Sequence, residues 1–430
     1  MVVREMQKLA RSGFSENIIK TLVLPPFVYF AGREAFVESA RDFLGIRPKH
    51  SDDNVEHLGY LAEWLCRAQD ATSDDGVSRS YSVIYRPFFK RKGWFNSYPE
   101  TTGYIIPTFF DYFYFTGKEI YRDRALRMAD WECDVQMESG AVMGGTVDFS
   151  RSPAVFNTGQ VIFGWCRAYI ETKKEKYLEA AKRAGNYLVA VQDPSGQWIK
   201  GTSQFAAGQS TVYNTRVSWA LALLDSIIDD GKYRGAAILN IDWALSKQYE
   251  NGWFSDNCLD DPQRPLVHTI AYAIQGVLET GLLLKDENYI NAATKAAVNM
   301  TKLLRADGSL AGQFDKQWQA KASWSCLTGN AQMAIIWSRL HQEGIENNMD
   351  LAAEKINRFN RSILNIKTRS RGRCGGVKGA YPIYGGYGTF EYLNWAVKFF
   401  MDAFLLEEKT QNNPRILAAE EKGAPLFWGT

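Results

Sequence analysis

Five residues of this 430-residue chain have the types that acid–base chemistry beside a carboxylate requires. His268 and Tyr272 stand four apart, which puts both side chains on one helix face. Asn214 and Arg216 flank a threonine in Tyr213-Asn214-Thr215-Arg216, and Glu100 follows Tyr98-Pro99. Removing the C5 proton of a uronic acid calls for such a set. The carboxylate next to C5 is already negative, so Arg216, Asn214 and either Asn157 or Gln160 would hold it by directed hydrogen bonds. His268 or Tyr272 would take the proton, and the other would protonate the departing O4. Loss of O4 makes the reaction a β-elimination; return of a proton to the opposite face makes it a C5-epimerisation. The competing chemistry is glycoside hydrolysis, which needs two carboxylates roughly 5 to 10 Å apart. Glu100, Glu391, Asp148 and Asp256 are available for it, but no spacing singles out a pair. Plainer roles compete as well: a helix cap for Asn157 and Asn214, a core histidine at 268, and helix-terminal charge at Glu100.

A threonine repeat positions these residues. Thr102, Thr158, Thr215, Thr269, Thr328 and Thr389 each head an apolar segment, at separations of 56, 57, 54, 59 and 61 residues. Regular recurrence at that length marks a repeat architecture. Each unit runs from the threonine into an apolar helix, then a short Gly or Lys/Asp turn, then an amphipathic helix. It closes on a glycine turn such as Gln192-Asp193-Pro194-Ser195-Gly196-Gln197-Trp198. A helix polar only at its head belongs inside, and one with a charged face belongs outside. Inner helices are expected to start near 100, 157, 214, 268, 327 and 389, each capped by its threonine. Five outer helices lie between them, and a helix over 54–70, started by Asp52-Asp53, supplies a sixth. The expected fold is all-α: an (α/α)6 toroid of six helical hairpins over 54–407, with an N-terminal extension (1–53) and a C-terminal tail (408–430). The heads of the inner helices share one mouth. That mouth adds Tyr98, Thr101, Asn157, Gln160, Tyr213, Trp324, Ser325, Tyr384, Tyr387, Glu391 and Asn394 to the candidates, chiefly as substrate-binding groups. The polar, aromatic segment 71–97, with Tyr81, Tyr85, Arg86 and Trp94, is expected to wall a cleft as a long loop.

The alternation of hairpins with Gly-x-Trp-type turns over about 98–407 resembles the (α/α)6-toroid superfamily of polysaccharide lyases, glucuronyl C5-epimerases, six-hairpin glycosidases, sugar 2-epimerases, terpene cyclases and prenyltransferase β subunits. The resemblance implies a carbohydrate-active enzyme. It also implies roles for Asn, His, Arg and Tyr like those of toroidal alginate- and heparin-type lyases. Other members fit less well. Asp256-Asn257-Cys258-Leu259-Asp260-Asp261 does not supply the D-x-D-D acid of a squalene-type cyclase. Asp256, Cys258 and His268 depart in spacing from a prenyltransferase zinc site, although zinc across that loop is geometrically feasible. Sugar 2-epimerases of this fold rely on more histidines than this mouth offers.

Composition narrows the rest. Lys+Arg 50 against Asp+Glu 48 gives a net charge of +2, so no global field favours nucleic acid. Aromatics make up 13% of the chain, enough to pack helices and still line a groove for sugar rings. The six cysteines are scattered without a C-x-x-C pair and read as buried apolar residues of a reducing compartment. The first residues carry no apolar signal-peptide core, and Thr21 to Ala31 is too short and Pro-broken to span a bilayer. A cytoplasmic location, a polysaccharide or oligosaccharide partner, no nucleotide cofactor and no metal are the expectations. A glycan-binding scaffold, with the aromatic mouth but no acid–base pair, is the non-enzymatic alternative.

Overall fold

Polarity sorts the helices into two rings. The structure, a computed structural model, describes residues 32–47, 53–202 and 211–426. The expectations for the N-terminal leader, for Thr21 to Ala31 and for most of the 49–54 polar run lie outside the described residues. After α1 (Arg33–Phe43) come outer helix α2 (Asn54–Asp70) and six inner helices: α3 (Pro99–Thr116), α5 (Val155–Thr172), α7 (Thr215–Ile228), α9 (Val267–Leu284), α11 (Leu327–Gln342) and α13 (Asn394–Thr410). Between them run the outer helices α4 (Glu119–Val135), α6 (Glu175–Val191), α8 (Lys232–Ser246), α10 (Glu287–Thr301) and α12 (Met349–Ile363), and α14 (Pro414–Glu421) follows. In α9 every residue from Val267 to Gly281 is buried, whereas α6 buries a stripe at Tyr177, Ala181, Ala184 and Leu188. The first is a helix surrounded by protein; the second presents one face to solvent. Helix α9 is also long and apolar enough to cross a membrane, but here it is an inner stave. The chain forms an (α/α)6 toroid, with α2 as the sixth outer helix against α13.

One device is repeated around the ring. Gln136, Gln192 and Gln248 each donate their amide to the carbonyl of their own turn glycine (Gly140, Gly196, Gly252) and to a carbonyl of the next outer helix (Ala180, Ala236, Ala292). Gln69 makes the same clasp to Asp75 and Arg124. The turn needs a left-handed backbone pressed against that helix. At Gly375, φ is +77°, and an added Cβ would lie 2.1 Å from the Tyr60 carbonyl oxygen of α2. Gly196 meets Leu239 of α8 in the same way. Only glycine satisfies both conditions, and at Gly375 the contact closes the ring.

Three expectations are corrected. The threonines do not cap the inner helices; the cap positions fall to Tyr98, Ala154, Asn214, Leu266, Cys326 and Leu393, without side-chain cap bonds. Thr102 and Thr158 instead donate back to the carbonyls of Tyr98 and Ala154, and accept the backbone N–H of Val77 and Val142. They tie the incoming loop to the helix head, one turn inside the position a cap would hold. Thr215 reaches across to the Ala273 carbonyl of α9 (3.1 Å). The last inner helix starts at Asn394 rather than near 389, because Glu391–Leu393 is drawn into a strand, β5. Segment 71–97 is not a plain loop: β1 (Ser80–Arg86) pairs antiparallel with β2 (Arg91–Trp94) on one side and with β5 on the other. A second small sheet joins β3 (Ser325–Cys326) to β4 (Ala380–Tyr381). Asp53 does start α2, accepting the Val55 N–H at 2.8 Å.

Candidate active site

The heads of the inner helices enclose a cavity of about 180 Å³. Tyr98, Glu100 and Tyr104 of the α3 head line it, with Phe156 and Asn157 of α5, Tyr213 of the turn before α7, and His268, Thr269 and Tyr272 of α9. Tyr387 and Trp395 close it from the last unit, and Arg79 and Phe89 come from the β-hairpin segment. Successive rings touch around the wall: Tyr213 to Phe156 (centroids 5.0 Å), Phe156 to Tyr272 (5.1 Å), Tyr272 to His268 (4.3 Å) and His268 to Tyr387 (5.5 Å). The Tyr387 hydroxyl accepts from Trp395 Nε1 at 3.0 Å. Such a wall is apolar in its faces and polar at a few fixed points, as ligand sites are.

The polar points are few and specific. Glu100 is the one carboxylate among the described lining residues. Its Oε2 accepts from the Tyr98 hydroxyl at 2.5 Å, and that oxygen in turn receives Asn157 Nδ2 at 3.5 Å. Asn157 is braced by donation to the Met143 carbonyl (3.2 Å), and its Oδ1 has no protein partner. Burial pushes the Glu100 carboxyl up to about 7; the Tyr98 hydrogen bond and the charges of Arg79 and Arg216 oppose the shift but do not cancel it. Burial likewise lowers the imidazole of His268 to about 4. Its Nδ1 lies 2.8 Å from Gln332 Oε1, which can only accept, so Nδ1 carries the hydrogen and Nε2 keeps a lone pair. The Tyr272 phenol is held far above its usual range, again chiefly by burial.

Arg79 is set by the sheet. Glu391 of β5 is buried; its Oε2 accepts from Arg79 Nη1 (2.5 Å) and Ser80 Oγ (3.0 Å), and its Oε1 forms an ion pair with Arg86 Nε (3.0 Å). Burial alone would raise the Glu391 carboxyl, but the two guanidinium charges outweigh it and its pKa is lowered. Two cations thus share one anion, leaving a positive excess beside the cavity. Phe89, Phe95 and Trp395 pack around the Arg79 guanidinium at 4.9, 5.7 and 5.2 Å.

The sequence candidates therefore separate. Tyr98, Glu100, Asn157, Tyr213, His268, Tyr272 and Tyr387 share the cavity wall. Arg216 and Gln160 do not: Arg216 points down the barrel axis, bonded to Gln160 Oε1 (2.9 Å) and Gln275 Oε1 (2.6 Å). Asn214 is buried at the α7 head outside the lining, and Glu391 is engaged by the arginines. Trp324 packs over Gly312, Gly385 and Gly386, and Tyr384 also lies off the cavity. Of the other carboxylates, Asp148 accepts from the Thr146 hydroxyl (2.6 Å) and Asp256 pairs with Lys247 (2.9 Å). No group of three metal-ligating side chains assembles among the described residues, so Asp256, Cys258 and His268 are not gathered into a zinc site. Arg79, Phe89, Trp395 and Gln332 lie outside the sequence candidates. Of Tyr81, Tyr85, Arg86 and Trp94, expected as the wall of the 71–97 segment, Tyr81 turns to Trp94 (5.2 Å) and Tyr85 is 58% exposed.

No protein-family model matches the sequence, and no curated protein does. Solved structures do. The fold is similar to unsaturated glucuronyl hydrolase from Bacillus sp. GL1, which acts in degradation of glycosaminoglycan (TM-score 0.66, 14% identity, covering 83% of this chain and 97% of that one). It is similar to an unsaturated glucuronyl hydrolase specific for heparin (0.65, 14%, 84% and 99%). Cellobiose 2-epimerase from Bacillus thermoamylovorans B4167 aligns as well (0.61, 14%, 88% and 100%). These likenesses establish the toroid.

Proposed function

We propose that the chain is a carbohydrate-active enzyme whose substrate carries a uronic acid, and that Glu100 is the proton-transfer group at C5. The observation that carries this reading is the Glu100 carboxyl, alone among aromatic rings and raised to about 7. A group that titrates near neutral pH suits proton transfer in both directions. The positive excess of Arg79 and Arg86 over Glu391 takes the uronate carboxylate, the role first expected of Arg216, and so makes the C5 proton more acidic. Tyr98 holds the Glu100 carboxyl in place. Tyr272 keeps its proton at neutral pH and is the donor toward O4 or toward the opposite face of C5. His268, neutral and fixed by Gln332, accepts a sugar hydroxyl at Nε2. The stacked rings receive the faces of the sugar.

Hydrolysis is the second reading, favoured by the similar structures that are unsaturated glucuronyl hydrolases. Against the paired-carboxylate form of that reaction, the described lining offers one carboxylate where two are needed. A panel of uronate polymers and their oligosaccharides separates the outcomes. Growth of ultraviolet absorbance means elimination, and deuterium uptake at C5 without cleavage means epimerisation. New reducing ends with neither mean hydrolysis and remove the C5 reading.

A further inference from the structure

Below the mouth, on the barrel axis, a second cavity of about 50 Å³ lies behind Tyr104. That is room for a few water-sized species. Its lining holds the guanidinium of Arg216, 2% exposed, whose hydrogen-bond partners are amide oxygens. Among the described residues Arg216 makes no ion pair. Both carboxylates in the same lining are engaged elsewhere: Asp402 by Lys398 and by the Thr108 hydroxyl (2.6 Å), and Asp111 by Arg167 (2.9 Å). Trp219 Nε1–H, also in the lining and buried, has no protein partner. Gln275 gives its oxygen to Arg216, which leaves its amide N–H groups to offer. Four ring faces around the guanidinium (Trp219, Tyr272, Phe163 and Phe399 at 4.8, 4.9, 5.4 and 5.7 Å) soften the cost of its burial but accept no N–H in the plane of the cation. A buried cation beside a cavity lined with spare donors is one half of an ion pair.

We propose that this axial cavity is a binding site for a small inorganic anion of halide size, held by Arg216, Trp219 Nε1–H and the amide of Gln275. Water cannot supply the charge that the cation lacks, and a polyatomic sugar acid is too large for the hole. The site is separate from the mouth, yet Arg216 stacks on Tyr272, which lines the mouth. An anion here acts on the mouth through charge. The groups facing Arg216 from the surrounding helices are Tyr104 and Asp111 of α3, Tyr272 and Glu279 of α9, and Lys398 and Asp402 of α13. Arg216 favours the ionised form of Glu100 and disfavours protonated His268, so neutralising it raises both.

The test uses sodium bromide and sodium chloride against sodium gluconate at equal ionic strength. Crystals grown in bromide are expected to show anomalous density between Arg216 and Trp219. The urea midpoint is expected to rise saturably with halide but not with gluconate. Trp219→Phe is expected to weaken the halide response roughly tenfold, the loss of one hydrogen bond to an ion, and Arg216→Met to abolish it. Density for water alone, equal stabilisation by gluconate, or a halide response that Trp219→Phe leaves intact overturns the site, the last by showing an adventitious ion only. Trp219→Phe keeps the test open should Arg216→Met fail to fold. These readouts need no substrate, so they stand or fall apart from the proposed reaction. Once turnover is measured, halide should move its acid limb to higher pH.

Discussion

Glu100→Gln isolates the proposed proton-transfer group because it keeps the shape and the acceptor for Tyr98 while removing the charge. The carboxyl titrates at about 7 in the folded chain against 4.5 when free. The folded state therefore binds more protons than the unfolded state between those values. Stability that Glu100 contributes below pH 4.5 is lost as pH rises through about 7. Each pH unit of that gap is worth about 1.36 kcal/mol, which sets a ceiling of about 3 kcal/mol. Water in the open cavity screens the charge, so about 2 kcal/mol is the working value. In urea titrations from pH 4 to 8, the stability of Glu100→Gln relative to the unsubstituted chain should stay level near pH 4 and climb by that amount towards pH 8. Turnover on the responsive uronate substrate should fall by roughly 10² to 10⁴, as expected for a lost general base, and the limb near pH 7 should vanish. A stability difference flat with pH would show that Glu100 titrates normally. Retention of more than a tenth of the turnover would remove it from the chemistry.

His268→Gln should act on stability with the opposite sign. The imidazole is depressed to about 4 from 6.5, so its share of stability is present above pH 6.5 and lost as pH falls through 4; the variant should lose less on acidification, by about 2 kcal/mol in the same titrations. Arg79→Met should raise KM for a uronate substrate more than for its reduced, neutral analogue, by roughly 10-fold or more, since one cation of the pair is gone. Equal effects on both substrates would refute the carboxylate contact. Gly375→Ala should cost about 3 kcal/mol in denaturant unfolding, from a forced left-handed backbone plus the clash with Tyr60. Gly344→Ala, with φ +67° and nothing within 4 Å, should cost only about 1 kcal/mol.

The toroid was legible in sequence because its parts recur. Gln136, Gln192 and Gln248 stand 56 apart, as do Gly140, Gly196 and Gly252, and each performs the same contact. The threonine repeat located the helix heads, but its hydroxyls bond incoming-loop N–H groups and backbone carbonyls, one of them on a neighbouring helix, rather than capping N–H groups. The site was legible only in part, for a geometric reason. Adjacent residues on a helix point about 100° apart, so standing at a helix head does not decide between mouth and axis. Tyr213 faces the mouth, while Asn214 is tucked behind and Arg216 faces the axis. Arg79 and Phe89 came from outside the repeat, brought in by pairing of β1 with β5 across more than 300 residues, which no local pattern records.

The closure at α2 and α13 has a temporal side. Tyr60 meets Gly375, Asn54 meets Glu408, and Asn394 meets Thr101, so the first outer helix waits for the last inner one. During synthesis α2 leaves the ribosome with its apolar face uncovered and stays so until more than 300 further residues have followed. An open solenoid can lose a terminal repeat and remain folded; a ring that lacks its last stave has an exposed seam along its whole height. Nascent chains stalled before residue 394 should therefore engage holdase chaperones or aggregate, since closing the ring depends on long-range contacts.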